Sequence, residues 1–133
     1  MIQVFFDGGF ADETAVWGNI FYENGVRTAD KKYSNFRKGL TSNISEYFGI
    51  ITALYAIANN IEKWKDKPIE IVGDSLLIIS QVNGDYKTKN TDLLPLNNLA
   101  RTILNDLRQQ GLNITIKWVG RESNHEADRL CRS

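Results

Sequence analysis

Residues 69–75 read Ile-Glu-Ile-Val-Gly-Asp-Ser, a short apolar stretch that ends on a glycine, an acid and a hydroxyl residue. The β-branched residues predict a strand over residues 69–73. A helix from about Ser75 to Val82 follows at once, so Asp74 stands at the carboxyl end of the strand. A buried strand that leads directly through an acid into a helix is typical of α/β proteins.

The N-terminal stretch has the same apolar pattern. Residues 2–7 (Ile-Gln-Val-Phe-Phe-Asp) predict a first strand that ends at Asp7 and is closed by Gly8-Gly9. Residues 15–22 predict a second strand, and Asn24-Gly25 is the signature of a tight hairpin turn. A third strand then runs through about Tyr33, and the short connections make these strands antiparallel neighbours.

The rest of the chain alternates between helices and strands. Apolar residues recur at three- and four-residue steps over residues 43–61, which predicts a long, deeply packed helix. A helix over residues 92–110 with Gly111 at its stop, a strand over 114–119 and a last helix from near Ser123 complete the order β-β-β-α-β-α-α-β-α. We therefore predict an α/β fold with a five-stranded mixed sheet flanked by helices.

The predicted topology places two acids together. A long helical crossover makes the fourth strand parallel to the first, on the side opposite the second and third strands. Ligand crevices of open α/β sheets form where the strand order reverses, at the carboxyl ends of the strands. Asp7 and Asp74 should therefore lie side by side at the mouth of one crevice.

Composition and charge restrict the class of protein. The 133 residues fit one domain, carry zero formal net charge and include a single cysteine, Cys131. A lone cysteine, no apparent signal peptide and no apolar run of about 20 residues predict a cytoplasmic protein rather than a membrane protein. Neutral charge argues against binding nucleic acid by bulk positive charge, so phosphate affinity has to come from metals or a local basic face. Candidates for that face are Lys87 and Lys89, or Arg121, Arg129 and Arg132.

Four acids occupy positions that stability does not require: Asp7, Glu46, Asp74 and Asp128. Glu46 is the only acid between Thr41 and Ile61, on an otherwise apolar or small-residue helix, and Asp128 lies one turn into the last helix. Converging carboxylates repel one another and raise each other's pKa, and divalent cations resolve that conflict. Oxygen ligands suit Mg²⁺ or Mn²⁺.

Each acid alone has a simpler interpretation. Asp7-Gly8 fits a turn, and Glu46 fits a capping box with Asn43. Asp74 fits a cap of the next helix, and Asp128 fits a surface charge near a helix N-terminus. The combination of all four in one chain is what indicates a metal site.

The chain resembles the type 1 ribonuclease H family over nearly its whole length. The matching segments are Asp7-Gly8-Gly9, residues 15–18 (Ala-Val-Trp-Gly), residues 41–47 (Thr-Ser-Asn-Ile-Ser-Glu-Tyr), Gly73-Asp74-Ser75 and residues 118–130 (Trp-Val-Gly-Arg-Glu-Ser-Asn-His-Glu-Ala-Asp-Arg-Leu). The resemblance implies a single ribonuclease H domain over residues 1–133. It also implies the ribonuclease H-like fold, an α/β fold whose five-stranded mixed sheet has the order 3-2-1-4-5 and is flanked by helices.

The resemblance also implies an activity: endonucleolytic hydrolysis of the RNA strand of RNA–DNA hybrids, leaving 5′-phosphate and 3′-hydroxyl ends. Its implied catalytic and metal-binding residues are Asp7, Glu46, Asp74 and Asp128, with two Mg²⁺ ions for which Mn²⁺ can substitute. Implied substrate-binding residues are Gly8 through its backbone, Asn43, Arg121 and Asn124. Capping for Asn43, and packing of the last helix for Arg121 and Asn124, are the alternatives.

Some positions depart from the family pattern. Leu76 stands where many members have a glutamine, and the segment Asn83–Asp92 is too short for a basic protrusion, so we expect weaker and more salt-sensitive substrate binding. His125 is expected to be an exposed first-turn residue rather than a catalytic one. Trp17 and Trp118 lie in predicted strands and are expected in the core, whereas Trp64 stays undecided between core and surface.

Two other functions fit the same fold, because fold does not fix function. One is a catalytically silent nucleic-acid- or protein-binding module, and the other is a related nuclease that acts on DNA. The four intact acids argue against the first, and Asn43 with Gly8-Gly9 argues against the second. We expect no obligate protein partner and no membrane contact, and therefore a monomer.

Overall fold

The computed structural model describes residues 1–132, in which five strands form one mixed sheet of order β3-β2-β1-β4-β5. The strands are β1 (Ile2–Ala11), β2 (Thr14–Glu23), β3 (Val26–Phe36), β4 (Ile69–Gly73) and β5 (Ile114–Trp118). The helices are α1 (Ser42–Ala58), α2 (Ile61–Trp64), α3 (Leu76–Val82), α4 (Leu94–Gln109) and α5 (His125–Arg132), with a 3₁₀ turn at Arg121–Ser123. None of the helices within residues 1–132 has both the length and the apolar character needed to cross a membrane.

The predicted sheet topology is confirmed. β1, β2 and β3 pair antiparallel, and β4 pairs parallel with both β1 and β5. The β2–β3 hairpin turns at Asn24 (φ 50°) and Gly25 (φ 81°), the pair of positive φ angles that tight hairpin turns require. The order of strands therefore reverses between β1 and β4, as expected.

The boundaries of β1 were predicted wrongly. The strand does not end at Asp7 but continues to Ala11, because Gly8 and the residues after it stay paired with β2 as far as the Ala11–Thr14 pair. Pairing with β4, by contrast, stops at Phe5 opposite Val72. Asp7 therefore lies inside a strand but past the end of the parallel pairing, which still leaves it at the carboxyl edge next to β4. At its far end β3 extends to Phe36, three residues beyond the predicted end at Tyr33.

The helix predicted over residues 43–61 is two helices. α1 ends at Ala58, because Asn60 has a non-helical backbone (φ −141°, ψ 47°), and the short α2 follows. α1 packs on the sheet and is buried on more than one side, as its sequence predicts. Its core residues include Ile44, Tyr47, Ile50, Leu54 and Ile57.

The three tryptophans have different surroundings. Trp64, which the sequence left undecided between core and surface, is in the core and packs against Phe21. Trp17 is partly buried and packs between Tyr33 and Phe48. Trp118 was expected in the core, and that prediction is wrong. It is 47% exposed, because it is the last residue of β5 and extends beyond the layer of core side chains.

Candidate active site

Two glycines let β1 and α1 approach closely. A Cβ atom on Gly8 would overlap the backbone carbonyl of Ser45, and one on Gly49 would lie 2.8 Å from the backbone oxygen of Asp7. Only glycine fits such contacts without moving the backbone. The close approach brings Glu46 of α1 beside Asp7 of β1.

Neither Glu46 nor Asp74 takes part in capping a helix, because hydroxyl residues form the N-terminal caps of α1 and α3. Thr41, not Asn43, caps α1: its Oγ1 accepts a hydrogen bond from the Ile44 N–H (3.1 Å). Glu46 then falls in the second turn of α1, so the capping-box interpretation is wrong. Ser75 caps α3 by accepting from the Ile78 N–H (3.3 Å), so Asp74 is not the cap either.

Three of the predicted acids converge at the carboxyl edge of the sheet. Carboxylate oxygens of Asp7, Glu46 and Asp74 all lie within 4.8 Å of one another. Asp7 and Glu46 are 6% and 9% exposed. One carboxyl oxygen of Glu46 shares a hydrogen bond with Asp7, and the other, Oε2, is buried without a partner among the described residues.

Burial sets the protonation of this cluster. Burial, and then the negative charge of Asp74, raise the pKa of Asp7 to about 6, although its hydrogen bond with Glu46 lowers it in part. Burial, the charge of Asp7 and the hydrogen bond to Asp7 raise the pKa of Glu46 to about 10. At neutral pH and without a cation, Glu46 therefore carries a proton that it donates to Asp7.

Asp128 lies at the rim of the cluster. It lines the same cavity of about 510 Å³ as the other three acids, but its carboxylate is not part of their close group. Its Oδ1 accepts a hydrogen bond from Arg132 Nε (3.0 Å), and its side chain is 29% exposed. Three of the four acids therefore lie close together. The fourth, Asp128, lines the same cavity and is paired with Arg132, which is one helix turn away and also lines the cavity.

Asn124 connects the elements that carry the acids. It is 1% exposed, and its Nδ2 donates to the backbone oxygen of Phe6 (3.0 Å) and to Asp74 Oδ2 (3.3 Å). These contacts support the packing interpretation of Asn124, and a contact with substrate stays a prediction. Arg121 is exposed and lines the cavity; Asn43 is exposed beside Ser42, which lines it.

Sequence reasoning missed two neighbours of the acids. The Cys131 thiol donates to the backbone oxygen of Asp7 (3.7 Å), and burial followed by the charges of Asp7 and Glu46 raises its pKa to about 12. The Trp118 indole N–H donates to the backbone oxygen of Asp74 (3.1 Å). Cys131 could have been found from the sequence, because it lies three residues after Asp128 and therefore on the same face of α5. No sequence signal pointed to the contact of Trp118, because the alternation of its strand predicts burial.

His125 is exposed, as predicted. Its side chain is 61% exposed, its Nδ1–H donates to the backbone oxygen of Glu122 (3.0 Å), and its Nε2 lies 3.4 Å from Glu126. These contacts hold the ring at the surface turn between the 3₁₀ turn and α5.

The acid cluster fits a divalent cation. Three carboxylates within reach of one ion, a buried carboxylate oxygen without a hydrogen-bond partner, and an all-oxygen donor set are the ligand chemistry of Mg²⁺ and Mn²⁺. A buried unpaired acid is otherwise costly. The same residues would lose their shared proton when a cation binds.

Known proteins are similar to this chain in sequence and in fold. A family model described as "Reverse transcriptase-like" matches residues 6–133. The "Bifunctional protein Rv2228c" of Mycobacterium tuberculosis is 33% identical over 90 residues, which are 68% of this chain but 22% of that protein, so the chain spans about a fifth of this relative.

Among solved structures, RNase H1 from the halophilic archaeon Halobacterium salinarum is 30% identical, with a TM-score of 0.81 over 98% of this chain and 94% of that one. LC11-RNase H1, solved in complex with an RNA/DNA hybrid, has a TM-score of 0.82 over 99% of this chain and 94% of that one; at 24% identity it shows the fold alone.

Proposed function

The chain belongs to the reverse transcriptase-like family, with the fold of the type 1 ribonucleases H, and from this premise we propose that it is an endonuclease for the RNA strand of RNA–DNA hybrids. The observation that carries the proposal is the convergence of Asp7, Glu46 and Asp74, with an unpartnered Glu46 oxygen buried among them. Nothing in folding requires three acids to meet in one cavity, whereas a metal-dependent phosphodiester hydrolase requires it.

We propose that Asp7, Glu46, Asp74 and Asp128 hold two Mg²⁺ ions, with Mn²⁺ as a substitute. The chemistry that bound cations supply is activation of water for in-line attack on the phosphate and stabilisation of the leaving 3′ oxygen, which leaves 5′-phosphate and 3′-hydroxyl ends. Asp7 and Glu46 give up their shared proton to bind. Asp128 contributes when it leaves Arg132, whose guanidinium is then free to meet a phosphate.

Selection of RNA requires contacts to 2′-hydroxyls. The proposed contacts are the Gly8 backbone and Asn43, at the two chain segments that meet where β1 packs on α1. Arg121, which lines the cavity, is the proposed contact for a phosphate of the same strand. For Asn124 the proposed contribution is to hold Asp74, and a direct substrate contact is the weaker proposal because the side chain is buried.

We further propose that residues 1–133 work as a single monomeric domain in the cytoplasm. The support is the single cysteine, which suits a reducing compartment, and one hydrophobic core that includes residues of β1, β4, β5, α1, α3 and α4.

A cleavage assay tests the proposed activity. Labelled RNA–DNA hybrid, duplex RNA, duplex DNA and single strands are incubated with Mg²⁺ or Mn²⁺, and the products are sized and end-mapped. We expect internal cleavage of the hybrid's RNA strand alone. Cleavage of duplex DNA at an equal rate would support a DNA nuclease, and no cleavage with either metal would support a silent binding module.

A variant of Asp74 tests the site itself. Asp74→Asn removes a charged metal ligand while keeping shape, so we expect hybrid cleavage to fall by about a thousandfold or more with the fold intact. Asp106→Asn, on the exposed face of α4, is the matched control and should cleave like the unaltered protein. Retained cleavage in Asp74→Asn would place the chemistry elsewhere.

A further inference from the structure

Trp118 is a large aromatic residue exposed beside the acid cluster. It is the last residue of β5, paired in parallel register with Gly73, the residue before Asp74. Its side chain is 47% exposed, whereas Trp64 is buried and Trp17 is covered by Tyr33 and Phe48. A single exposed apolar side chain is ordinary on a protein surface, so its location and its fixed orientation decide whether it has a role.

The indole ring is held in place by its polar end. Its N–H donates to the backbone oxygen of Asp74 (3.1 Å), and the next residue, Val119, donates its backbone N–H to Gly73 (2.9 Å). The first contact fixes the ring, and the second fixes the backbone that carries it. A ring that is already immobilised loses little conformational entropy when a ligand packs against it.

The surroundings of the ring suit a nucleic-acid strand. Arg121, three residues on from Trp118, is exposed and lines the cavity that contains the acids. Aromatic rings combined with cations along a groove are the general means by which proteins hold single strands and splayed nucleotides. Trp118 does not itself line that cavity, but its indole N–H contacts the backbone of Asp74, which does.

We propose that Trp118 contacts the bound strand, its exposed face stacking on a base or sugar near the phosphate held by the acids. Through its N–H, the same residue acts as a positioning residue for Asp74. The proposal rests on the proposed function and adds a substrate contact to it. It also predicts that substrate binding and the placement of Asp74 are coupled through one side chain.

Two substitutions separate the two contributions. Trp118→Leu removes both ring and donor, so the dissociation constant for hybrid should rise by about tenfold, the usual effect of losing one stacking contact. Trp118→Phe keeps a ring but no donor, so the dissociation constant should stay within about threefold while kcat falls. Affinities are measured in an Asp7→Asn background, which prevents cleavage, and kcat and KM in its absence.

The matched control is Tyr55→Leu, which removes an aromatic ring of equal exposure (47%) from the distal half of α1. It should leave the dissociation constant, kcat and KM unchanged. If Trp118→Leu binds hybrid as tightly as Tyr55→Leu does, the stacking contact is overturned. If Trp118→Phe keeps the full kcat, the positioning contribution is overturned.

Tryptophan fluorescence gives a readout independent of activity and of the leucine variant's folding. Hybrid should quench the emission of the Asp7→Asn protein, and Trp118→Phe should remove that quenching. Quenching that persists in Trp118→Phe would overturn the contact even if Trp118→Leu fails to fold. Failure of the proposed function looks different, because the unaltered protein then cleaves no hybrid, whereas failure of this inference leaves cleavage intact.

Discussion

Asp7 and Glu46 are the residues whose chemistry depends most on the fold. Each lies in a segment where an acid is costly, and they share one proton because burial disfavours two charges side by side. The pair is therefore primed for a cation: binding exchanges the shared proton for an ion and satisfies the orphaned Glu46 oxygen. Metal affinity must then increase as pH rises, since the proton competes.

The raised pKa of Asp7 predicts how pH affects the stability of the metal-free protein. The ordinary value of 3.8 applies to the unfolded chain, whereas the folded value is about 6, so the folded state binds more protons in between. The stabilising contribution is therefore complete below about pH 4 and is lost as pH rises through about 6. Asn mimics the protonated acid, so Asp7→Asn should match the unaltered protein at about pH 4 and exceed it by roughly 1–3 kcal/mol at about pH 8.

Denaturant unfolding in EDTA at a series of pH values measures this difference. Asp106→Asn, which replaces an exposed acid of α4 outside the cluster, is the matched control. An Asp7→Asn protein whose advantage is the same at every pH would show that Asp7 is not protonated in the folded state.

At the scale of elements, α1 determines where Glu46 lies. The N-terminal cap at Thr41 sets which residue of α1 faces β1, and the Gly8–Ser45 contact sets how near that residue comes. The sequence Thr-Ser-Asn-Ile-Ser-Glu contains several residues able to cap a helix, and the structure selects the first of them.

Two alanine substitutions test the choice of cap. Thr41→Ala removes the acceptor of the Ile44 N–H and should lower the free energy of unfolding by about 1 kcal/mol. Asn43→Ala, two residues on, should change it by less than about 0.5 kcal/mol, as for an ordinary surface substitution. Thermal and urea unfolding at fixed pH compare them. A larger loss in Asn43→Ala would restore the capping box with Glu46.

The sequence predicted the order of the elements and the position of the acids better than it predicted contacts between distant residues. The hairpin turn and the long helical crossover were enough to order the first four strands, and the parallel pairing of β1 and β4 was enough to place Asp7 beside Asp74. The end of β1 was missed because pairing with β2, not local propensity, keeps Gly8 extended. The exposure of Trp118 and its bond to Asp74 were missed because partners 44 residues apart in the chain meet only in the folded sheet.

The charges of the whole molecule balance in number but are unevenly distributed. The chain has as many basic as acidic residues, 16 of each, yet three carboxylates meet in one cavity. Without a cation this cavity is an electrostatic cost to the fold, and a ligand that binds only the folded state stabilises the whole chain by mass action. The cation is therefore expected to act on global stability as well as on catalysis.

Mg²⁺ or Mn²⁺ should raise the unfolding temperature of the protein and EDTA should reverse the rise. At a concentration of about a hundred times the dissociation constant, the added free energy of unfolding is about 2.7 kcal/mol. For a chain of this size that corresponds to an increase of roughly 5–12 °C, measured by differential scanning calorimetry. Asp7→Asn and Glu46→Gln should each reduce the increase, because each removes a negative charge that attracts the cation.

NaCl at matched ionic strength separates site binding from general screening. It should give a far smaller increase, because a monovalent cation gains less from three convergent carboxylates. If NaCl produces the same increase, or if Asp7→Asn responds to Mg²⁺ as the unaltered protein does, then the acids do not form a divalent-cation site. Asp128→Asn completes the series: its carboxylate is already paired with Arg132, so its loss should reduce the increase less than the loss of Asp7 does.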